Sequence, residues 1–440
     1  MARPQKTQKI NHGGNSTTME DLDDYMLTQI LLRLPSCATV LACSLVNKRW
    51  CSLISDPNFP VQFTNHKKRT TTYLKDLPWT FIATIRSSEQ ILITEFKLGS
   101  SKLSLEFLPC NNPTTTATFK DLMLCTSDQV GSRVYYIANP LTKQWVALPS
   151  CPLDKRQQKW IKRPILICEL TYNHTRDYKF RVVLVRHPPC QFKLHKFDLV
   201  VYCSEIGEWK VINLRIPMEA GPLEEYWDKE RDVCFNMFIV CNGIIYFKSG
   251  LCLVALDPFD VNASSGTTLE ARAMPRLPRF GYLQESSGQL LVVLSGGSRE
   301  GLPWYMGGKK HGRDMELQMV VWKLDPNQAP LEWEMSFQGL CKGSWYSKLP
   351  PLTHYIIYAS DIGVHPYNDK LIYMHLTSEQ RLVLCDTGTR CITPLKSLPY
   401  DYVSRFERLE LQWWPTSVPA LVHAMPHTKA ELATATIEVW

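Results

Sequence analysis

Two hydrophobic periods divide this chain. Between residues 21 and 59 apolar residues return every three to four positions, the period of a helical face; from Trp79 onward they come in short runs separated by Gly, Pro, Asn and Asp. In the first region Leu27, Ile30, Leu31 and Leu34 stand at i, i+3, i+4 and i+7. This predicts a helix that Asp21, Asp23 and Asp24 start by satisfying free N–H groups at its positive end. Pro35 stops it, because the residue before a proline is pushed out of the α region. A second helical pattern covers residues 38–45, with Val40, Leu41 and Ala42 apolar. A third opens at Asn47, a capping residue, carries Trp50, Leu53 and Ile54, and ends at Asp56-Pro57. Three such short helices are too small to bury a core of their own, and they hold more apolar residues than they can hide from one another. Exposed apolar surface on a small module marks a protein contact.

The second region predicts strands at Phe81–Ile85, Val134–Ile137, Arg181–Val185, Ile244–Phe247, Leu290–Leu294, Met319–Trp322 and Leu371–Met374, with no long helical pattern between them. A loose internal repeat runs through them. One half is a turn followed by a strand, at Asn242-Gly243, Ser287-Gly288 and Asn368-Asp369. The other is a strand, a polar turn and a Trp-bearing strand, ending at Trp145, at Trp209 and more loosely at Trp333; the stretch from Leu384 to Ile392 keeps the turn without the Trp. The Trp spacings are 64 and 124 residues, the second close to two units. A recurrence near sixty residues suits four-stranded propeller blades with long loops. Counting from Trp79 gives about six blades, with seven allowed. Each Trp is expected to pack between neighbouring blades.

Composition narrows the class. With 45% hydrophobic and 21% charged residues, a chain of this length can build a sizeable core beside a small module. Fifteen Cys occur without a C-x-x-C pair, and residues 1–18 have no apolar stretch of the secretory kind, so the thiols read as reduced core fillers of an intracellular protein. No apolar run reaches the ~18 residues that cross a bilayer. The net charge of +7 is spread mildly: residues 1–18 carry Arg3, Lys6 and Lys9 without an acid, while residues 19–60 hold five acids and three bases. That falls short of a nucleic-acid profile. Lys67-Lys68-Arg69 reads as a solvated linker cluster, with nuclear import as the alternative.

The helical block resembles an F-box. The matching pieces are Ile30-Leu31-Leu32-Arg33-Leu34-Pro35, Cys43-Ser44-Leu45-Val46-Asn47-Lys48-Arg49-Trp50 and Leu53-Ile54-Ser55-Asp56-Pro57-Asn58-Phe59. Leu22-Asp23 departs from the family's Leu-Pro, a change that a helix's first turn tolerates. The β region resembles the kelch-like, F-box-associated propeller of plant F-box proteins, and the Trp413–Pro419 tail looks like that group's closing segment. The resemblance implies a three-helix F-box at residues 19–60, after a disordered basic tail (1–18). A linker (61–78) and a propeller (79–440) follow. It also implies docking on a Skp-type adaptor, and through it on a cullin scaffold, with Leu22, Leu27, Ile30, Leu31, Leu34, Pro35, Leu41, Leu45, Val46 and Trp50 in or beneath the contact. Leu31 and Pro35 are expected to touch the adaptor directly. The propeller would hold a target protein for ubiquitination, in the cytoplasm, the nucleus or both.

Catalytic motifs are absent from the sequence: there is no H-E-x-x-H, G-x-S-x-G or P-loop, and no zinc-type Cys/His spacing. No cofactor, metal, nucleic acid or membrane is expected. Residues 307–313 read as a long basic inter-strand loop, whose Lys309, Lys310 and Arg313 could greet an acidic target. Two other readings stand beside the ligase subunit. A propeller enzyme of the copper-oxidase type would need grouped His and Tyr, and the eleven His show no grouping. A helix-turn-helix would turn Asn47, Lys48 and Arg49 toward DNA, behind an opening run of aspartates that repels phosphate.

Overall fold

Short polar side chains at the ends of apolar runs start the first helices of the computed structural model. Asp23 caps α1 (Asp24–Arg33), its carboxylate accepting from the Met26 N–H at 2.7 Å. Ser36 caps α2 (Cys37–Cys43) through the Thr39 N–H, and Asn47 caps α3 (Lys48–Ile54) through the Trp50 N–H. Leu34 ends α1 in an extended conformation, as a residue before proline must. A fourth helix, α4 (Phe59–Thr70), follows. The expectation of three helices and a linker from residue 61 is therefore corrected. Residues 61–70 are helical, with Phe59, Phe63 and Lys67 buried on one face at four-residue spacing. Lys67 leaves the solvated basic cluster, while Lys68 and Arg69 stay exposed.

The structure describes residues 22–70, 79–85, 90–93, 105–129, 132–158, 161–169, 178–186, 196–215, 238–249, 252–260, 268–270, 272–276, 282–295, 308–311, 314–344, 359–376, 380–397, 403–410, 412–419 and 421. The basic tail over residues 1–18, Asp21, residues 71–78 and Arg313 lie outside them. The chain divides into two compact units after Thr72.

The second unit is a series of antiparallel meanders. It opens with the paired strands β1 (Trp79–Ile85) and β2 (Gln90–Ile93). A four-stranded sheet follows: β3 (Thr114–Phe119), β4 (Leu122–Gln129), β5 (Ser132–Asn139) and β6 (Gln144–Ala147). After a single helical turn, α5 (Lys155–Gln158), the next sheet contains β7 (Ile161–Glu169), β8 (Lys179–Arg186), β9 (Lys196–Cys203) and β10 (Glu208–Arg215). Three more strands follow, β11 (Phe238–Cys241), β12 (Ile244–Ser249) and β13 (Cys252–Leu256). Then β14 (Thr268–Glu270) adds to β10 in parallel, and β15 (Arg272–Arg276) completes the sheet of β11–β13. The largest sheet joins two meanders. The first holds β16 (Tyr282–Ser286), β17 (Gln289–Ser295), β18 (Gly308–His311), β19 (Asp314–Leu324) and β20 (Glu334–Ser344). The second holds β21 (Ala359–His365), β22 (Asn368–Leu376), β23 (Arg381–Asp386) and β24 (Cys391–Ser397), and meets the first in one parallel pair, Lys342 opposite Cys391. Last, β25 (Val403–Glu410) pairs with β1, placing Glu410 opposite Trp79, so the end of the body closes on its beginning.

Apolar clusters fill the space between successive sheets, and alternate residues of one strand enter different clusters. On β17, Leu290 and Val292 pack toward β11–β15, while Leu291 and Val293 pack toward β21–β24. This two-sided burial explains why these strands read as continuous apolar runs. Ile82 and Leu409 meet Met123 and Tyr136 on one side of the closing sheet; Phe81 and Phe406 meet Tyr373 and Leu382 on the other. Trp209 packs on Tyr135 of one sheet and Tyr202 of the next, Trp145 joins the cluster of Ile82 and Leu409, and Trp333 joins that of Tyr246 and Leu290.

Three local expectations change. The closing element is β25 rather than the Trp413–Pro419 tail. That tail is pinned instead by Asp121, whose buried carboxylate accepts from the Thr416 N–H at 2.7 Å, and by Tyr178, whose hydroxyl donates to the Ser417 carbonyl. The turn before β22 is Pro366-Tyr367, since Asn368 already pairs with His365. Residues 308–311 form a strand paired with β19, Lys309 opposite Glu316 and Lys310 opposite Met315, rather than a loop.

Candidate protein-docking surface

The helical module has a core of its own and an uncovered corner. Leu27, Leu31, Leu32, Val40, Ile54, Phe59 and Phe63 are buried, and the Phe59 and Phe63 rings stack at 6.4 Å. Two cations hold the ends of α1. At its start, the Arg49 guanidinium bonds the Asp24 carboxylate at 2.7 Å and donates to the Leu22 carbonyl. At its end, the Lys67 ammonium donates to the Leu34 carbonyl and stands 5.1 Å from the Phe63 ring centre. Burial lowers the pKa of that ammonium below the usual lysine range.

The Arg49 clasp ties the first turn of α3 to the start of α1, and apolar side chains stand in solvent in the turn before α3 and at the start of α1. Leu45 is 75% exposed, Val46 62%, Tyr25 68% and Met26 47%. The turn carrying Leu45 and Val46 is set by backbone bonds from their N–H groups to the carbonyls of Ala42 and Cys43. Solvent-exposed large apolar groups gathered on a module this small are what a partner surface would cover.

The ten residues singled out from the sequence separate into three groups. Leu27 and Leu31 are each 1% exposed and lie beneath the surface. Direct contact through Leu31 is thereby corrected, because its side chain fills the module's own core. Leu22, Ile30, Leu34, Leu41 and Trp50 are half-buried, and Pro35, Leu45 and Val46 are exposed. Tyr25 and Met26 went unnoticed because they precede the apolar face of α1. Their position just before Leu27, off the i, i+3, i+4 series, was the available signal. Leu32 and Phe59, part of the F-box match, prove to be core residues, as does Phe63, which the sequence pattern does not single out.

Comparison with known proteins fits this geometry. Residues 19–62 match the F-box domain model, and residues 97–264 match the model "F-box protein At3g26010-like, beta-propeller". The chain carries an F-box followed by a β-propeller of the kind found in plant F-box proteins. Relatives from Arabidopsis thaliana include F-box protein At5g49610, 27% identical over 61% of this chain and 71% of that protein. F-box protein At3g28330 is 22% identical over 81% of both chains, and F-box/kelch-repeat protein At3g61590 is 23% identical over 51% of both. Only the last name carries the word kelch among these three. A solved chain of a nidogen/laminin complex aligns over 78% of this chain at 9% identity, with a TM-score of 0.34, too low to argue from.

Polar groups in the propeller of this F-box protein act as fasteners. Arg408 on β25 reaches Glu285 on β16 and Glu410 on its own strand; the second oxygen of Glu410 accepts from the Tyr367 hydroxyl at 3.1 Å. Arg181 pairs with Glu205 and lies 4.9 Å from the Phe259 ring centre. Asn139 donates to both Asp121 and the Thr416 carbonyl, and burial pushes the Asp121 carboxyl above its usual range. Buried thiols are held protonated: Cys125 is pushed up to about 12 and Cys341 to about 11 by desolvation. Among the described residues no three His, Cys, Asp or Glu side chains group as metal ligands. No helix among them is long and apolar enough to cross a membrane. Lys309 and Lys310 share one short strand, and their side chains, like the whole of Arg313, lie outside the described residues.

Proposed function

We propose that this F-box protein is the substrate-recognition subunit of a Skp–cullin–F-box ubiquitin ligase. The module docks on a Skp-type adaptor through the corner of Leu45, Val46, Tyr25 and Met26, with Pro35 on the same module, and the adaptor links it to a cullin scaffold. The propeller, read as six blades with the one containing β25, β1 and β2 completed from both ends of the body, holds a target protein. No residue of the chain does chemistry. The rate gain comes from holding target and ubiquitin donor together. The cytoplasm and the nucleus are the compartments in which it would work.

The observation that carries this reading is the exposed apolar corner on a capped module, inside the segment that matches the F-box. Burying each such side chain contributes roughly 1.5–3 kcal/mol, so two charges placed there should abolish docking. In a pull-down with a purified plant Skp-type adaptor, the immobilised wild-type chain should retain the adaptor. The Leu45→Asp, Val46→Asp double variant should not. Equal retention by both would contradict the assignment of this corner, and no retention by either would contradict the ligase reading itself.

A further inference from the structure

The F-box match ends at residue 62, yet α4 continues to Thr70 and turns one charged side chain inward. Lys67 lies one and two helical turns beyond Phe63 and Phe59, on the same face, and is only 9% exposed. An ammonium on a buried face is costly unless it is hydrogen-bonded. Its partner is the carbonyl of Leu34, the C-cap of α1, one of the end groups that a helix cannot satisfy internally. Leu34 is extended because Pro35 follows, and a cation there also opposes the negative end of the α1 dipole.

We propose that Lys67 is a positioning residue for adaptor docking: through the Leu34 carbonyl it fixes the corner at Leu34-Pro35 between α1 and α2, so the docking module runs to Thr70. The inference rests on the ligase reading given above. Nothing in the sequence motif requires it, since Lys67 lies in a run of bases that reads as linker. The mechanism is geometric. Ser36 caps α2 directly after this corner, so the angle at which α2 leaves α1 depends on where the Leu34-Pro35 peptide is held. The turn carrying Leu45 and Val46 hangs from the far end of α2, and a shift at the corner is passed along one rigid helix to the docking residues.

The test uses the full chain and a purified Skp-type adaptor, with affinity and melting temperature measured on the same samples. Lys67→Met keeps the apolar stem against Phe63 but loses the donor; it should bind the adaptor about tenfold more weakly, the scale of a lost charge-assisted hydrogen bond. Lys67→Arg keeps a donor and should bind within about twofold of wild type. Phe63→Leu loosens the same core without removing the donor. It should lower the melting temperature at least as far as Lys67→Met and bind like wild type below its transition. If Lys67→Met binds like wild type, or if weakened binding follows melting temperature equally in Lys67→Met and Phe63→Leu, the positioning role is overturned while the ligase reading stands. If the wild-type chain itself fails to bind, the ligase reading falls.

Discussion

Leu290 to Val293 on β17 and Leu45-Val46 before α3 are both runs of adjacent apolar residues, and their fates are opposite. All four on β17 are buried, because successive strand residues point to different faces and each face has a neighbouring sheet. Leu45 and Val46 sit in a turn with nothing over them. Among the described residues of the propeller most large apolar side chains are covered within the chain, Val211, Met335, Leu340 and Leu395 being the exposed ones, and the β1–β25 pair joins the two ends of the body. The helical module has enough apolar residues for a core and a surplus. The contrast assigns adaptor docking to the module, and to the body a fold that is stable without the adaptor.

The largest expected effect on stability lies where the module most resembles the body. Phe63 is fully buried, and Phe63→Ala should cost about 3–5 kcal/mol. A module this small should unfold, giving a lost low-temperature transition in calorimetry beside an unchanged propeller transition. A common shift of both would erase the distinction.

Acid should act on the body instead. His375 on β22 is fully buried, and desolvation lowers its pKa to about 4 from 6.5. The unfolded chain takes up that proton more readily than the folded one. The contribution is therefore complete above pH 6.5 and is lost as pH falls toward 4, up to about 3 kcal/mol. Urea unfolding of the body across that window should show the loss, and His375→Gln should flatten it.

A smaller effect tests ring closure. A Cβ on Gly363 of β21 would stand 2.6 Å from the Phe81 ring, and that ring is locked among Trp79, Tyr373 and Phe406. Gly363→Ala should cost the body about 1–3 kcal/mol through overpacking and leave adaptor affinity unchanged. A change in affinity would show that the two regions are not separable.

What could be read in advance follows the same divide. Asp23 and Asn47 were legible as helix starts because capping is a local bond between near neighbours, while the Ser36 cap of α2 emerges from the structure alone. Strands such as Leu290–Leu294 were legible because two-sided burial leaves an unbroken apolar run. The fourth helix escaped notice because its buried face ends in Lys67, and a lysine among bases reads as solvated. The closing strand β25 escaped too. Its sequence, Val403-Ser404-Arg405-Phe406-Glu407-Arg408-Leu409-Glu410, spaces apolar residues by three and owes its strand state to β1, more than three hundred residues earlier. Of the docking residues, the sequence picked out Leu45 and Val46 but could not say that Leu31 lies in the core, which is a matter of tertiary packing.

The smallest expected change in stability belongs to the substitution with the largest expected change in binding. Calorimetric titration of a Skp-type adaptor into the wild-type chain, the Leu45→Asp, Val46→Asp variant and Leu31→Ala, each with its unfolding curve, tests the division of labour directly. The double variant should lose binding at a stability within about 0.5 kcal/mol of wild type, while Leu31→Ala should lose binding only as far as its core loss of about 2–5 kcal/mol unfolds the module. Full adaptor affinity in the double variant would contradict the account.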